Sequence, residues 1–278
     1  MKNFLSQVQK KLQTLFKVKA NQVSLNQCSI VLILGLVLIP AFSLAAYSAN
    51  PFLKTQEMQI IKGSVDTENS KAIMIVLDSS GSMAEPAPGS NTKMLAAKQV
   101  LEQVLSKIDT SIPVGLRVYG SSKNPMSEME ACSDSVLLVP PGTGNRAQMV
   151  NKLRELKPNG ATPISYAIQQ AVNDLKFVNV KYKNIVLISD GMETCGRDPC
   201  ALAEALKANN IDMQFNVVGF GVGNDWQAKA QLKCVAAATS GKYYDADSAG
   251  QLSNSILDGI NSTANVSSST GKIKEVEK

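Results

Sequence analysis

The 278-residue chain contains no histidine. That absence removes Ser-His-Asp and Cys-His nucleophilic catalysis, zinc sites of the HExxH kind and any histidine general base. No Walker A lysine follows a glycine-rich loop, and no internal repeat is visible. Acidic residues are missing from the amino-terminal stretch, where Lys2, Lys10, Lys11, Lys17 and Lys19 stand without a counter-charge. With those five set aside from the 28 basic residues, 23 remain against 23 acidic ones. The rest of the chain is therefore balanced and carries no nucleic-acid footprint.

The basic segment, residues 1–27, leads into an apolar one, residues 28–48. An apolar stretch close to 20 residues long suits a membrane-spanning helix, and the preceding lysines orient its amino terminus to the cytoplasm. Two readings compete: a retained signal anchor, or a signal peptide cut among the small residues Ala45, Ala46 and Ser48. The long basic region favours the anchor. Residues 49–70 read as a linker, with Met58 to Ile61 able to form a short strand. Residues 71–264 form the domain, and 265–278 a polar, disordered tail.

The domain is organised around Ala72 to Ser82, AIMIVLDSSGS. Ile73 to Leu77 is an apolar run too short for an ordinary helix, and it suits a central parallel strand covered on both faces. It ends in Asp78, Ser80 and Ser82, oxygen-bearing side chains at alternate positions, with Gly81 permitting a turn. Open α/β sheets place ligands just past the carboxyl ends of such strands. A carboxylate with two hydroxyls suits a hard cation such as Mg²⁺. Taken alone, Asp-x-Ser-x-Ser equally describes a turn closed by an aspartate side chain.

Two later stretches add to it. Gly160-Ala161-Thr162-Pro163 places a hydroxyl at a helix start, and Asn184 to Asp190, NIVLISD, is a second apolar strand ending in an acid. Asp78, Ser80, Ser82, Thr162 and Asp190 together resemble the metal-ion-dependent adhesion site of von Willebrand factor type A domains, in the family order and at family-like spacing. The resemblance spans Lys71 to Ser262. It implies an α/β, Rossmann-like fold with a mostly parallel central sheet flanked by helices, here preceded by one transmembrane helix. It also implies that Thr162 faces the ion, whereas local sequence makes it an N-cap before Pro163.

The elements alternate as a parallel α/β sheet requires. Helices are expected over Thr92 to Ile108, Asn145 to Lys157, from Thr162-Pro163 onward, Cys200 to Asn209, Trp226 to Thr239 and Ala249 to Ser262. Strands are expected over Ile112 to Tyr119, Ser135 to Val139 as an edge, Ile211 to Phe220 and Lys242 to Tyr244, with a polar loop over Ser121 to Asp134. Gly219-Phe220-Gly221-Val222-Gly223 imitates a dinucleotide fingerprint, but Asn224 stands where its third glycine belongs, so it reads as a loop. Glu193 reads as a solvated loop acid, or else as a group orienting metal-bound water. Asp134 is a loop acid or part of the site's rim.

Cys132, Cys195, Cys200 and Cys234 lie in the domain, an even number that suggests disulfides if it is exported. Four cysteines allow three connectivities. Pairing Cys132 with Cys195 and Cys200 with Cys234 is preferred, because both bonds tie loops or helices near the metal face. The stretches around these cysteines resemble a bacterial subgroup of exported or membrane-anchored members of the family.

The expected function is a non-enzymatic, divalent-metal-dependent protein-binding module. It would be held at the outer face of a bacterial inner membrane, in the periplasm or beyond, or alternatively cleaved and secreted. Mg²⁺, or Mn²⁺ or Ca²⁺ in its place, would engage a Glu or Asp of a partner protein. The alternatives are metal-assisted hydrolysis and a metal-independent envelope scaffold.

Overall fold

A computed structural model describes residues 70–121 and 127–262. The basic segment, the apolar span, all of the linker but Ser70, and the tail lie outside the described residues. Among the described residues no helix is long and apolar enough to cross a membrane.

Strand β1 (Lys71–Asp78) is buried from Ala72 onward. Its side chains alternate between two cores. Ile73, Ile75 and Leu77 enter one, and Ala72, Met74 and Val76 the other. Each of these side chains larger than alanine contributes about 1.5–3 kcal/mol on full burial. A strand buried on both faces is thus the centre of a two-sided sheet, as its unbroken apolar run required.

Around it stand β2 (Val114–Tyr119), β3 (Ser135–Gly142), β4 (Tyr182–Ser189), β5 (Gln214–Phe220) and β6 (Tyr243–Ala246), in the spatial order β3-β2-β1-β4-β5-β6. All neighbours pair in parallel except β2 with β3. The expected edge strand β3 runs past Val139 through Pro140 and Pro141. Prolines are tolerated there because an edge has one unpaired side.

Helices α1 (Lys93–Lys107), α3 (Arg146–Glu155) and α7 (Ala249–Asn261) line one face of the sheet, through Leu101, Met149 and Ile256 among others. Helices α4 (Ile164–Lys176), α5 (Pro199–Ala208) and α6 (Trp226–Ala238) line the other, through Ile168, Ala203 and Leu232. In α1, α3, α4 and α7 the buried residues recur at 3.6-residue spacing, Met94, Ala97, Leu101 and Val104 in α1 and Leu252, Ile256 and Ile260 in α7 among them.

Three local expectations differ. The polar loop between β2 and β3 contains a short helix, α2 (Glu128–Ala131), capped by the Ser127 hydroxyl. Strand β5 begins at Gln214 rather than Ile211, because Ile211 N–H already bonds to Leu206 O beyond the end of α5. The last strand is Tyr243–Ala246, displaced toward the carboxyl end by its register with Val217 to Phe220.

Successive connections run to opposite sides of the β1–β4 pair: β2 lies beyond β1, and β5 beyond β4. That pair is the topological switch point, where the crevice beyond the strand ends receives ligands in open α/β sheets. Asp78 closes β1 and Asp190 immediately follows β4.

Candidate metal centre

The site begins with the turn after β1. Asp78 Oδ1 accepts from Ser80 N–H at 2.7 Å. The aspartate-closed turn is therefore present, and it is also what presents the serines. Gly81–Ala84 then forms one turn of 3₁₀ helix. Asp78 Oδ2 accepts from the Tyr119 and Ser189 hydroxyls, each at 2.8 Å. Those residues end β2 and β4, so one buried carboxylate ties together the tips of three strands.

The serine loop reaches across to β4. Ser80 Oγ and Ser82 Oγ are 3.1 Å apart, and Ser82 Oγ donates to Asp190 Oδ1 at 2.7 Å. Four of the five residues picked from the sequence thus form one hydrogen-bonded group. Thr162 approaches through its backbone neighbours. Asn159 N–H bonds to Ser79 O at 3.0 Å, and Gly81 N–H bonds to Gly160 O at 3.0 Å. Gly120 makes this approach possible. Its φ is +67°, and a Cβ there would lie 2.4 Å from Ala161 O and 2.9 Å from Ser80 N.

The local expectation that Thr162 caps the helix is corrected. α4 starts at Ile164, its N-cap is Pro163, and Pro163 makes no side-chain cap. Glu193 does that work from a distance, with Oε2 accepting from Ser165 N–H at 2.7 Å and Oε1 from Cys195 N–H at 2.9 Å. Glu193 is buried, not a solvated loop acid. Thr194 fixes the Thr162 backbone reciprocally: Thr162 N–H donates to Thr194 Oγ1 at 2.9 Å, and Thr194 N–H donates to Thr162 O at 3.2 Å. Asp134 is buried at the end of the β2–β3 connection, where its carbonyl accepts from Gly120 N–H.

Both disulfides follow the preferred pairing. Cys132–Cys195 and Cys200–Cys234 each have Cα atoms 5.4 Å apart. The first fastens the β4–α5 connection, which carries Asp190, Glu193 and Thr194, to the end of α2. The second joins the first turn of α5 to α6.

Four contributors were not singled out from sequence: Tyr119, Ser189, Thr194 and Lys93. Tyr119 and Ser189 sit at strand ends beside Asp78, and a signal existed in their being polar residues at the close of apolar strands. Lys93 Nζ lies 3.0 Å from Asp190 Oδ2 and 2.8 Å from Glu85 Oε2. Burial opposes its charge, but the hydrogen bond to Glu85 and the charge on Asp190 outweigh it, and its pKa is raised.

The electrostatics of the site follow from burial and from charges close together. Burial, then the nearby Asp190 charge, push the Asp78 carboxyl up to about 6, against the hydrogen bonds from Ser80 and Tyr119. Burial and the Asp78 charge also raise Tyr119 well above the ordinary phenol range, which keeps it a donor. Negative charge is thus held at a cost that a cation would offset. The donors are all oxygen, three hydroxyls and two carboxylates, without nitrogen or sulfur. This set fits a hard divalent ion of the Mg²⁺ kind.

Known proteins place the chain. Residues 73–193 match the von Willebrand factor type A domain. The uncharacterised protein YwmD of Bacillus subtilis (strain 168) is 34% identical over 187 residues, covering 65% of this chain and 80% of the relative. Among solved structures, an aerotolerance-related membrane protein from Bacteroides fragilis superposes with a TM-score of 0.55 at 20% identity, over 70% of this chain and 100% of that one. A von Willebrand factor type A protein from Catenulispora acidiphila gives a TM-score of 0.55 at 19% identity, over 68% of this chain and 41% of that one. At such identities the two structures share the fold. By the family match and the Bacillus relative, the chain belongs to the von Willebrand factor type A domain family.

Proposed function

We propose that the domain binds a protein partner through a divalent cation, with Asp78, Ser80, Ser82, Thr162 and Asp190 holding Mg²⁺, or Mn²⁺ or Ca²⁺ in its place. The observation that carries this reading is the bridge from Ser80 through Ser82 to Asp190, which draws the ends of β1 and β4 into one oxygen-lined cluster. Bound there, the ion would offer Lewis acidity to an incoming Glu or Asp side chain of the partner. The hydroxyls add no negative charge, and three donors already occupy most of the Asp78 carboxylate, one on Oδ1 and two on Oδ2. Its carboxylate would therefore hold the ion through Oδ1, which has one donor, or through a water, and that leaves the cation under-neutralised and receptive to a partner's carboxylate.

The same engagements support binding rather than hydrolysis. A general base needs a free proton-accepting atom facing the reacting water. Here Lys93 is an ammonium paired with two carboxylates, and Asp78 has no oxygen left without a donor. The lysines ahead of the apolar segment, together with two disulfides, support display outside the cytoplasmic membrane with a cytoplasmic amino terminus.

The test is a pull-down from a bacterial envelope extract with wild-type and Asp78→Ala bait, in Mg²⁺ and in EDTA. The reading expects a partner retained by wild type in Mg²⁺ and lost in the other three conditions. Equal capture in EDTA would leave a metal-independent scaffold, and turnover of phosphoesters by wild type would favour hydrolysis.

A further inference from the structure

Lys93 is placed where two electrostatic rules disfavour it. It is the first residue of α1, following the Thr92 N-cap, and a cation at a helix amino terminus opposes the helix dipole. It is also buried, at 8% exposure, and an ammonium loses its hydration there. Nothing about helix formation asks for a lysine at this position. What holds it is specific: Asp190 Oδ2 at 3.0 Å on one side and Glu85 Oε2 at 2.8 Å on the other. Its backbone N–H also bonds to Glu85 O at 2.9 Å, which fixes the stem between the two acids. Asp190 is one of the two carboxylates of the proposed metal centre, and its side chain is fully buried.

Lys93 also has room to move. Its stem passes Gly221, where a Cβ would lie 3.1 Å from Lys93 Cε. It lines a pocket of about 210 Å³ together with Pro86, Ala87, Phe220, Gly221 and Asp247. Glu85 is largely exposed beside it, at 62%. An ammonium leaving Asp190 would therefore keep one carboxylate partner and find a second acid on the pocket wall.

We infer that Lys93 is an internal counter-ion that competes with the divalent cation for Asp190, so that loading the metal centre requires the ammonium to swing toward Glu85 and the pocket. This rests on the metal reading proposed above and adds a residue that sets its affinity. The consequence is a centre neutralised from within when divalent ions are scarce, which binds them more weakly than its five ligands alone would.

The test is calorimetric titration of the folded domain with MgCl₂, with thermal unfolding as a second readout, on wild type, Lys93→Met, Lys93→Arg and Glu85→Gln. Removing a unit charge next to a divalent ion should tighten Mg²⁺ binding by about tenfold or more. Lys93→Arg, which keeps the charge, should stay within about threefold of wild type. Glu85→Gln leaves the ammonium with Asp190 as its remaining close partner, and should weaken binding several-fold. That substitution is at a mostly exposed side chain, so it keeps the inference testable should Lys93→Met not fold. If Lys93→Met binds Mg²⁺ as wild type does, or more weakly, Lys93 positions Asp190 instead; the inference fails and the metal reading stands. Unchanged or tighter binding by Glu85→Gln overturns the inference equally. Binding by Lys93→Met alone would support the inference in its strongest form while overturning metal dependence in the wild type. No binding by any of the proteins overturns both.

Discussion

The sheet carries a buried polar cluster at each end, and the two are built on different principles. At the amino-terminal end, Asn184 of β4 and Asn216 of β5 lie under the carboxyl end of α7. Asn216 Nδ2 donates to Asn184 Oδ1 and to Gly259 O, Asn184 Nδ2 donates to Gly259 O, and Asn216 Oδ1 accepts from Lys242 N–H and Ser262 Oγ. Neutral amides face one another, and the Asn216 side chain is satisfied on both its oxygen and its nitrogen. At the carboxyl-terminal end, Ser80 and Ser82 lead to Asp190, which shares the Lys93 ammonium with Glu85, while the Asp78 carboxylate lies apart from that ammonium, held by Ser80 N–H and by the Tyr119 and Ser189 hydroxyls. The first cluster closes on itself and fastens a helix. The second holds charged groups out of water, and burial together with the Asp190 charge raises the Asp78 carboxyl. Low dielectric magnifies both outcomes: a closed network rigidifies, and an unclosed one has affinity for whatever completes it. The Cys132–Cys195 disulfide also braces the loop that carries Asp190 at the charged end.

The largest effect should come from removing that brace. Cys132→Ser with Cys195→Ser opens a 63-residue connection. It should cost about 3–4 kcal/mol in urea unfolding and weaken Mg²⁺ binding, because the freed loop carries Asp190 and Thr194. Retained stability with retained affinity would mean that the brace is redundant and that both ends are held by hydrogen bonding alone. Next is Asp78→Ala, expected to lower Mg²⁺ affinity at least a hundredfold, about 2.7 kcal/mol, with the circular dichroism of the fold preserved. A wild-type titration curve from this variant would remove the charged end's claim to be a site.

The contrasting substitution is Asn216→Leu. It strips partners from Asn184, Gly259 and Lys242, and should cost about 2 kcal/mol by urea unfolding, while the Mg²⁺ Kd stays within about twofold. A large change in Kd would show that the two ends are coupled through β4 and β5, and the division drawn here would fail.

The contrast between the ends also explains what could be read in advance. The fold was legible because β1 is so apolar that only a central position suits it, and because α1, α4 and α7 carry their buried residues at helical spacing. Asp78 and Asp190 stood out because each is an acid at the end of an apolar strand, and Ser80 and Ser82 joined them through the resemblance to a known metal site. Lys93 was not, because a lysine opening a helix looks like a solvated charge until the fold sets Asp190 beside it. Of the two readings of Glu193, the solvated loop acid fails for the converse reason. Its position in a polar loop suggests solvent, but its carboxylate accepts from Ser165 N–H of α4 and its backbone N–H donates to Gln231 Oε1 of α6, contacts that lie far along the chain. The Asn184–Asn216 cluster escaped notice because a single asparagine within a strand has no local signature. Its partners come from strands and helices far along the chain.

The smallest expected effect tests how Thr162 is held. It is the ligand candidate that no side-chain hydrogen bond ties to the others, and its placement depends on its backbone. Thr194→Val removes the acceptor of the 2.9 Å bond from Thr162 N–H but keeps the return bond from Thr194 N–H to Thr162 O. Valine has nearly the same shape, so packing is not disturbed and the loss is one hydrogen bond, about 1 kcal/mol. If Thr162 belongs to the metal centre, that loss appears mainly as a three- to tenfold weaker Mg²⁺ Kd, since the released backbone must be reordered when the ion binds. If Thr162 is only part of the approach to α4, the same loss appears in unfolding and the Kd does not change. Measuring both on one variant assigns Thr162 to the charged centre or to the scaffold around it.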